Sequence, residues 1–400
     1  MSKVWLPFLC VLCPQLSLAV INHGKLVLAP LYTAAAGLSP ETVGIIGGLS
    51  GLGSVWLFSA NSVILPSFGP IRALIFGCFL APIGAMLLLF QQPILIFISA
   101  IVMGFGYAIT APAGSEILAK QTPKKLWGTL FSLRMAGVPV GGAIAGIIGA
   151  SIASLYSWKA AVIVIVLPAL ITGIFLIKMQ SKFNGSKSKV NFQLLNLFNP
   201  FNFLSPFRVL KKIPGLPLIT CVSIGYASIQ GGVFTFLTTY LVTEVKISIV
   251  LAGGLYGTMQ IASFFGRITV GIIADRFFSP RSVLMALGLT GPCGIYILTT
   301  LENTLSNFIL FSSMIVIGIS TASWNGLFMA EVTKIAPEHD VSEATSASTF
   351  FTFITYMLAP LFFGLLALSL GYNFAFYTVG VCGLISVVAL STTIFREKLL

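Results

Sequence analysis

Charged residues make up only 8% of this 400-residue chain, and just ten of them are acidic. A soluble domain carries about 25%, so the composition excludes an ordinary water-soluble globule. The six cysteines (Cys10, Cys13, Cys78, Cys221, Cys293, Cys382) all lie in apolar stretches. Cys10 and Cys13 form a CxxC, but no metal partners or thioredoxin-like strand accompany it, so all six read as small buried hydrophobes. No nucleophile–base pair, metal-ligand cluster, phosphate-cradling glycine loop or nucleotide-binding motif is present. These absences argue against an enzyme, against a cofactor, and against nucleotide-driven work by this chain alone.

What the chain has instead is apolar length. Hydrophobic residues reach 57%, and the mean hydropathy is +1.01. Crossing a bilayer takes roughly 20 residues of helix. Twelve runs of about that length can be counted, near 6–34, 41–65, 72–90, 93–119, 126–153, 157–177, 215–243, 249–273, 282–300, 304–333, 343–369 and 371–394. Backbone groups in lipid must bond internally, and the alternation of a membrane barrel is absent, so the spans are expected to be helices. The opening Met-Ser-Lys and apolar run resembles a secretory signal, but it continues too far and lacks a clear cleavage site. It reads as an uncleaved first helix.

The net charge of +12 is distributed by side rather than gathered into a nucleic-acid patch. With the N-terminus inside, Lys3, Arg72, Lys120, Lys124, Lys125, seven central residues, Arg276, Arg281, Lys334, Arg396 and Lys398 share one side; only Lys159 and Lys246 fall on the other. This positive-inside asymmetry predicts cytoplasmic termini and contact with anionic inner-leaflet lipid, not nucleic acid. The short tails point to a bacterial inner-membrane protein, expected as a monomer.

The stretch 178–214 is the only long one that does not span. It carries Lys178, Lys182, Lys187, Lys189, Arg208, Lys211 and Lys212 with no acid, around an apolar centre from Phe192 to Phe203. An interfacial segment on the inner leaflet fits both features, with a disordered tether as the alternative. It divides the chain into six-helix halves, 1–177 and 215–400. Glu116-Ile-Leu-Ala-Lys120-Gln-Thr-Pro123 ends the fourth span, as Glu331-Val-Thr-Lys334-Ile-Ala-Pro337 ends the tenth. Tyr156-Ser-Trp158 opens the sixth, as Leu370-Gly-Tyr372 opens the twelfth, and His23-Gly24 falls opposite Gln230-Gly231. These offsets indicate a duplicated unit: two pseudo-symmetric six-helix bundles, an architecture secondary transporters commonly use.

At the loop after the eighth span, Gly271-Ile-Ile-Ala-Asp275-Arg276-Phe-Phe-Ser-Pro-Arg281, the chain resembles the major facilitator superfamily, whose signature is Gly-x-x-x-Asp-Arg-x-x-x-x-Arg. The equivalent loop of the first half, Ser62-Val-Ile-Leu-Pro66-Ser67-Phe-Gly69-Pro-Ile-Arg72, lacks that Asp and Arg. The resemblance covers the whole chain and implies the twelve-helix fold. It also implies a gating lock in which the loop Asp meets a helix N-terminus and the Arg reaches an acid on the tenth span. Arg134-Met-Ala-Gly137-Val-Pro139-Val-Gly141-Gly142 is similar to the family's antiporter signature, but Val138 interrupts it; close helix packing is the simpler reading.

Six ionisable residues fall at membrane depth: His23, Lys25, Glu116, Arg134, Arg267 and Glu331, with Asp275 and Arg276 where a helix leaves the lipid. Such groups are costly in hydrocarbon and mark functional sites. At roughly 1.5 Å per residue, Glu116 and Arg134 share a depth, as do Arg267 and Glu331. The first pair forms an ion pair that helps hold the inner gate, with Glu116 among the gating residues, or leaves Arg134 for a ligand; the second, with Asp275, Arg276 and Arg281, reads as the lock. Lys25 has no acid at its depth in spans 2 to 6 and lies too far from the outer turn to snorkel. A bound anion, an unseen structural partner or a wet cavity remain open for it. Histidine changes charge near neutral pH, so His23 is either a proton carrier or a hydrogen-bonded side chain. Asn22, Tyr32, Tyr226, Gln230, Tyr256, Gln260, Trp324 and Asn325 are expected around the same cavity, with Trp324-Asn325-Gly326 breaking the tenth span.

The leading expectation is therefore a secondary transporter that moves a small organic anion by alternating access, with proton coupling open. Proton-driven export of hydrophobic or cationic compounds is the alternative, and a non-transporting receptor a third reading.

Overall fold

The computed structural model describes residues 2–123, 126–183, 201–300, 306–337 and 340–399, and these fold as helices and their connections. The elements are α1 (Ser2–Val27), α2 (Ala29–Ala35), α3 (Thr42–Phe68), α4 (Pro70–Leu87), α5 (Pro93–Ala108), α6 (Thr110–Gln121), α7 (Trp127–Ile144), α8 (Ala150–Leu155) and α9 (Trp158–Phe183). After α10 (Phe201–Lys212) come α11 (Leu216–Thr243), α12 (Ile249–Arg276), α13 (Pro280–Thr300), α14 (Asn307–Ala322), α15 (Trp324–Ile335), α16 (Val341–Leu370) and α17 (Tyr372–Leu399). Among the described residues, 11 helices or broken helices are long and apolar enough to cross a bilayer; α3 is the remaining expected span. Most of the apolar centre of the expected interfacial segment, residues 192–200, lies outside the described residues, and its last residues open α10.

Chain contacts divide the helices into two compact units. One holds α1, α2, α4 to α9 and most of α3; the other holds Glu41–Gly48, the opening of α3, with α10 to α17. Duplication shows in the fourth span of each: α5 and α6 have 16 and 12 residues with Ile109 between them, and α14 and α15 repeat 16 and 12 around Ser323. In the first unit Pro112 has no N–H for the carbonyl of Ala108, which interrupts the ladder. In the second, Ser320 and Thr321 turn their hydroxyls back onto Val316 O and Ile317 O at 2.7 Å each, a pattern that bends helices. The tenth span breaks immediately before Trp324-Asn325-Gly326, within one residue of the expected place.

Lipid is as apolar as leucine, so helix association here depends on close packing and interhelical hydrogen bonds. In the first unit α3 crosses α5 in backbone contact: a Cβ on Gly104 would overlap Ser50 O, and Ser54 Oγ donates to Gly104 O at 3.0 Å. In the second, a Cβ on Gly318 would overlap Met259 O where α12 crosses α14. Thr220 and Ser348 pair at 3.0 Å and Thr352 donates to Ser223 at 3.1 Å, tying α11 to α16. Phe236 stacks on Phe363 with ring centres 4.3 Å apart, and Phe376 and Tyr372 close the cluster. The outward faces carry Phe76, Ile171, Phe362, Leu365 and Val388, all exposed and apolar, as a lipid-facing surface requires. Gly371, at φ +87°, joins α16 to α17 in a backbone conformation a side chain would oppose.

Candidate functional site

Lys25 occupies the last turn of α1. The helix stops at Val27 because Pro30 follows, and the chain restarts as α2. A cation in a final turn faces the negative end of the helix dipole, worth about 0.3–1 kcal/mol, far less than the cost of burial at membrane depth. The side chain is only 3% exposed. Its Nζ donates to Asn22 Oδ1 at 2.6 Å and to Ser50 Oγ on α3. Both acceptors are neutral, and no carboxylate pairs with Lys25 among the described residues. Asn22, Lys25 and Ser50 thus form one cluster. His23 is buried too, but two residues turn a helix by about 200°, so it projects away from Lys25.

Arg134 on α7 is 5% exposed. Its Nη1 donates to Ala111 O at 2.9 Å and Thr110 O at 3.3 Å, across the α5–α6 break, and its Nη2 to Met135 Sδ at 3.5 Å. The guanidinium lies 5.6 Å from the Phe131 ring centre. Its Nε and the nearby buried Gln15 Oε1 have no hydrogen-bond partner among the described residues. The ion pair expected between Glu116 and Arg134 is not formed. Glu116 instead takes Lys120, one turn away on its own helix, at 2.6 Å. Residues four apart on one helix are neighbours whatever the helix packs against, so this pair needs no particular rotation of a second helix.

In the second unit a cation that the depth count did not place there, Arg281, meets the acid. Glu331, 1% exposed on its side chain, receives Arg281 Nε at 2.5 Å, whereas Arg267 Nε donates to Ala322 O at 3.2 Å. Arg281, the arginine that closes the loop signature, and not the Arg276 beside Asp275, is the one that reaches the acid on the tenth span. Asp275 and Arg276 are exposed at the end of α12, and neither forms an ion pair among the described residues.

Tyr226, Gln230 and Trp324 do come together. Tyr226 stacks on Trp324 at 5.5 Å and 19°. Gln230 Oε1 accepts from Trp324 Nε1 at 3.0 Å and from Tyr356 OH at 2.7 Å, and Tyr226 OH donates to Leu284 O. These groups satisfy one another, so the cluster braces the second unit. Asn325 is half-buried beside it, Tyr256 and Gln260 are buried on α12, and Tyr32 is buried against Trp158, 6.4 Å between ring centres. Sequence reasoning missed Ser50, Tyr356 and the end of α1. Ala29-Pro30 signalled the last of these, whereas nothing in the local sequence marks the other two.

Two repeated bundles of membrane-length helices, with buried cations inside, define a multi-pass membrane transporter of small solutes. A model of the Major Facilitator Superfamily matches residues 24–354, and the chain belongs to that family. Its fold is similar to a bacterial homologue of the human lysosomal transporter Spinster in an inward-facing, unoccupied conformation (TM-score 0.78, 14% identity, covering 98% of this chain and 96% of that one). A peptide transporter, POT, in complex with sulfate gives 0.76 at 14% identity, covering 98% and 94%, and the nucleoside transporter NupG gives 0.75 at 13%, covering 96% and 99%. Among curated proteins, none matches the chain in sequence.

Proposed function

We propose that this chain is a secondary active transporter for a small organic anion, working by alternating access in a bacterial inner membrane. One observation carries the reading: Lys25 is buried at membrane depth on two neutral acceptors, Asn22 and Ser50, with no carboxylate paired to it among the described residues. An anionic group supplies the compensation the chain itself does not. Arg134 is a second station. Ser50 packs at Gly104, and Arg134 sits on Thr110, six residues further along the same span, roughly 9 Å away at 1.5 Å per residue. Both acids at membrane depth are engaged, Glu116 by Lys120 and Glu331 by Arg281, which disfavours export of cations on a free carboxylate. The Arg281–Glu331 pair serves as a conformational lock, and His23 is the group to examine for proton coupling.

The test is uptake by proteoliposomes from a panel of labelled anions and cations, with and without a pH gradient, for the wild type and Lys25→Ala. Saturable anion uptake lost in Lys25→Ala is expected. Uptake of cations only, or anion uptake unchanged in the variant, would overturn the reading; dependence on the gradient decides the coupling.

A further inference from the structure

A second polar locus lies wholly inside the second unit, away from Lys25. Tyr256, Gln260, Ser263 and Arg267 follow one another on α12 at steps of four, three and four, one face of the helix. That face meets the α14–α15 break. Arg267 Nε reaches Ala322 O at 3.2 Å, and a Cβ on Gly266 would sit 2.6 Å from Ser323 Oγ. Gln260 Nε2, Ser263 Oγ and Ser323 Oγ are fully buried there, and none has a hydrogen-bond partner among the described residues.

The two serines break the habit of their own helices. Thr258 and Thr269 on α12 bond Gly254 O and Phe265 O at 3.0 and 3.1 Å, and Ser320 and Thr321 on α14 bond back in the same way. A buried hydroxyl in a helix ordinarily takes that bond. Ser263 and Ser323 decline it, beside an amide NH2 that also lacks a partner, and unpartnered buried polar groups are rare in native proteins. All three groups can donate, and the formal charge on this face is that of Arg267. Buried donors without partners, near a guanidinium on the same helix face, favour an anion over a cation. Gly266 and Gly318 hold α12 and α14 in near-backbone contact, a spacing that suits only a small occupant.

We propose a site for a small inorganic anion of halide size, lined by Gln260, Ser263 and Ser323 beside Arg267. Bound at the broken span, the anion stabilises the second unit independently of whatever Lys25 carries.

The experiment measures the thermal midpoint of purified full-length protein while chloride replaces gluconate at constant ionic strength. Binding to the native state alone raises the midpoint, here by about 2–4 °C and saturably. The Ser263→Ala/Ser323→Ala pair should need roughly tenfold more chloride for half the effect, a weakening typical of losing charge-assisted hydrogen bonds. Gln260→Glu places a fixed carboxylate among the donors. It should lose the response while melting no lower than wild type without chloride. Lys25→Met should respond as wild type does. No chloride response in the wild type, or an unchanged response in the serine pair, overturns the site. A response lost in Lys25→Met but kept in the serine pair also overturns it, and moves the anion to Lys25. Loss of organic-anion uptake leaves these midpoints unaffected, so the two readings fail separately.

Discussion

The Arg281–Glu331 pair offers the sharpest test of the energetics inside this protein. The two side chains are 10% and 1% exposed and meet at 2.5 Å, among Val283, Leu284, Leu327, Phe328 and Val332, all buried. Removing one partner from such a pair leaves an uncompensated buried charge and costs about 3–5 kcal/mol, whereas replacing both with apolar residues is close to neutral or stabilising. Arg281→Met and Glu331→Leu should therefore each lower the midpoint by roughly 6–20 °C, at 2–4 °C per kcal/mol. The double variant should return to within about 3 °C of wild type, because the apolar neighbours accept Met and Leu. Thermal unfolding of the four proteins in one detergent completes the cycle. Effects that add to within about 0.5 kcal/mol would show that the pair is not coupled, and would remove the basis for calling it a lock. Transport by the well-folded double variant then isolates the gating role: slowed or leaky cycling is expected.

Lys25→Met should weaken binding of the organic anion by about 2–4 kcal/mol, roughly 30- to 1000-fold, while stability holds or rises because a buried charge is gone; calorimetric binding with parallel melts checks both. Gly104→Ala should destabilise strongly, since its Cβ would overlap Ser50 O, whereas Gly254→Ala meets nothing within 4 Å and should gain up to about 1 kcal/mol of helix propensity; melts of the two compare directly. Outside the spans, the hydrogen bond to Asp340 raises the ammonium of Lys212 above the ordinary lysine range, helped by the charges of Asp340 and Glu343. A raised folded value stabilises fully below the unfolded lysine value of about 10.4 and ceases to do so as pH climbs through the folded value. The difference between wild type and Lys212→Met should thus stay constant from pH 7 to about 10 and shrink above it. A difference that shrinks between pH 7 and 9 would contradict the pairing.

Hydrophobic length and the order of elements were legible in the residues, because lipid tolerates only helices and each span must satisfy its own backbone. The duplication was legible as well. Glu116 and Glu331, and Tyr156-Ser-Trp158 and Leu370-Gly-Tyr372, sit at matching offsets, and the structure repeats a 16-plus-12 broken span around the two glutamates. So was the exceptional position of Lys25, whose depth and lack of a matching acid follow from counting along the chain.

Partners were not legible. Depth along a helix is one coordinate, while pairing also depends on rotation about the axis and on which helix lies opposite. Counting therefore joined Glu116 to Arg134 and left Arg281 out of the account, where packing pairs Glu116 with Lys120 and Glu331 with Arg281. The same missing angle hid Ser50 beneath the Lys25 ammonium, and set Ser323 against α12 at Gly266, with no bond for it or for Ser263 among the described residues. Sequence alone determined that buried cations exist here and roughly how deep they lie, because that depends on apolar length. Only the tertiary structure decided which buried cation meets a carboxylate and which meets neutral acceptors, because that depends on which helix faces meet.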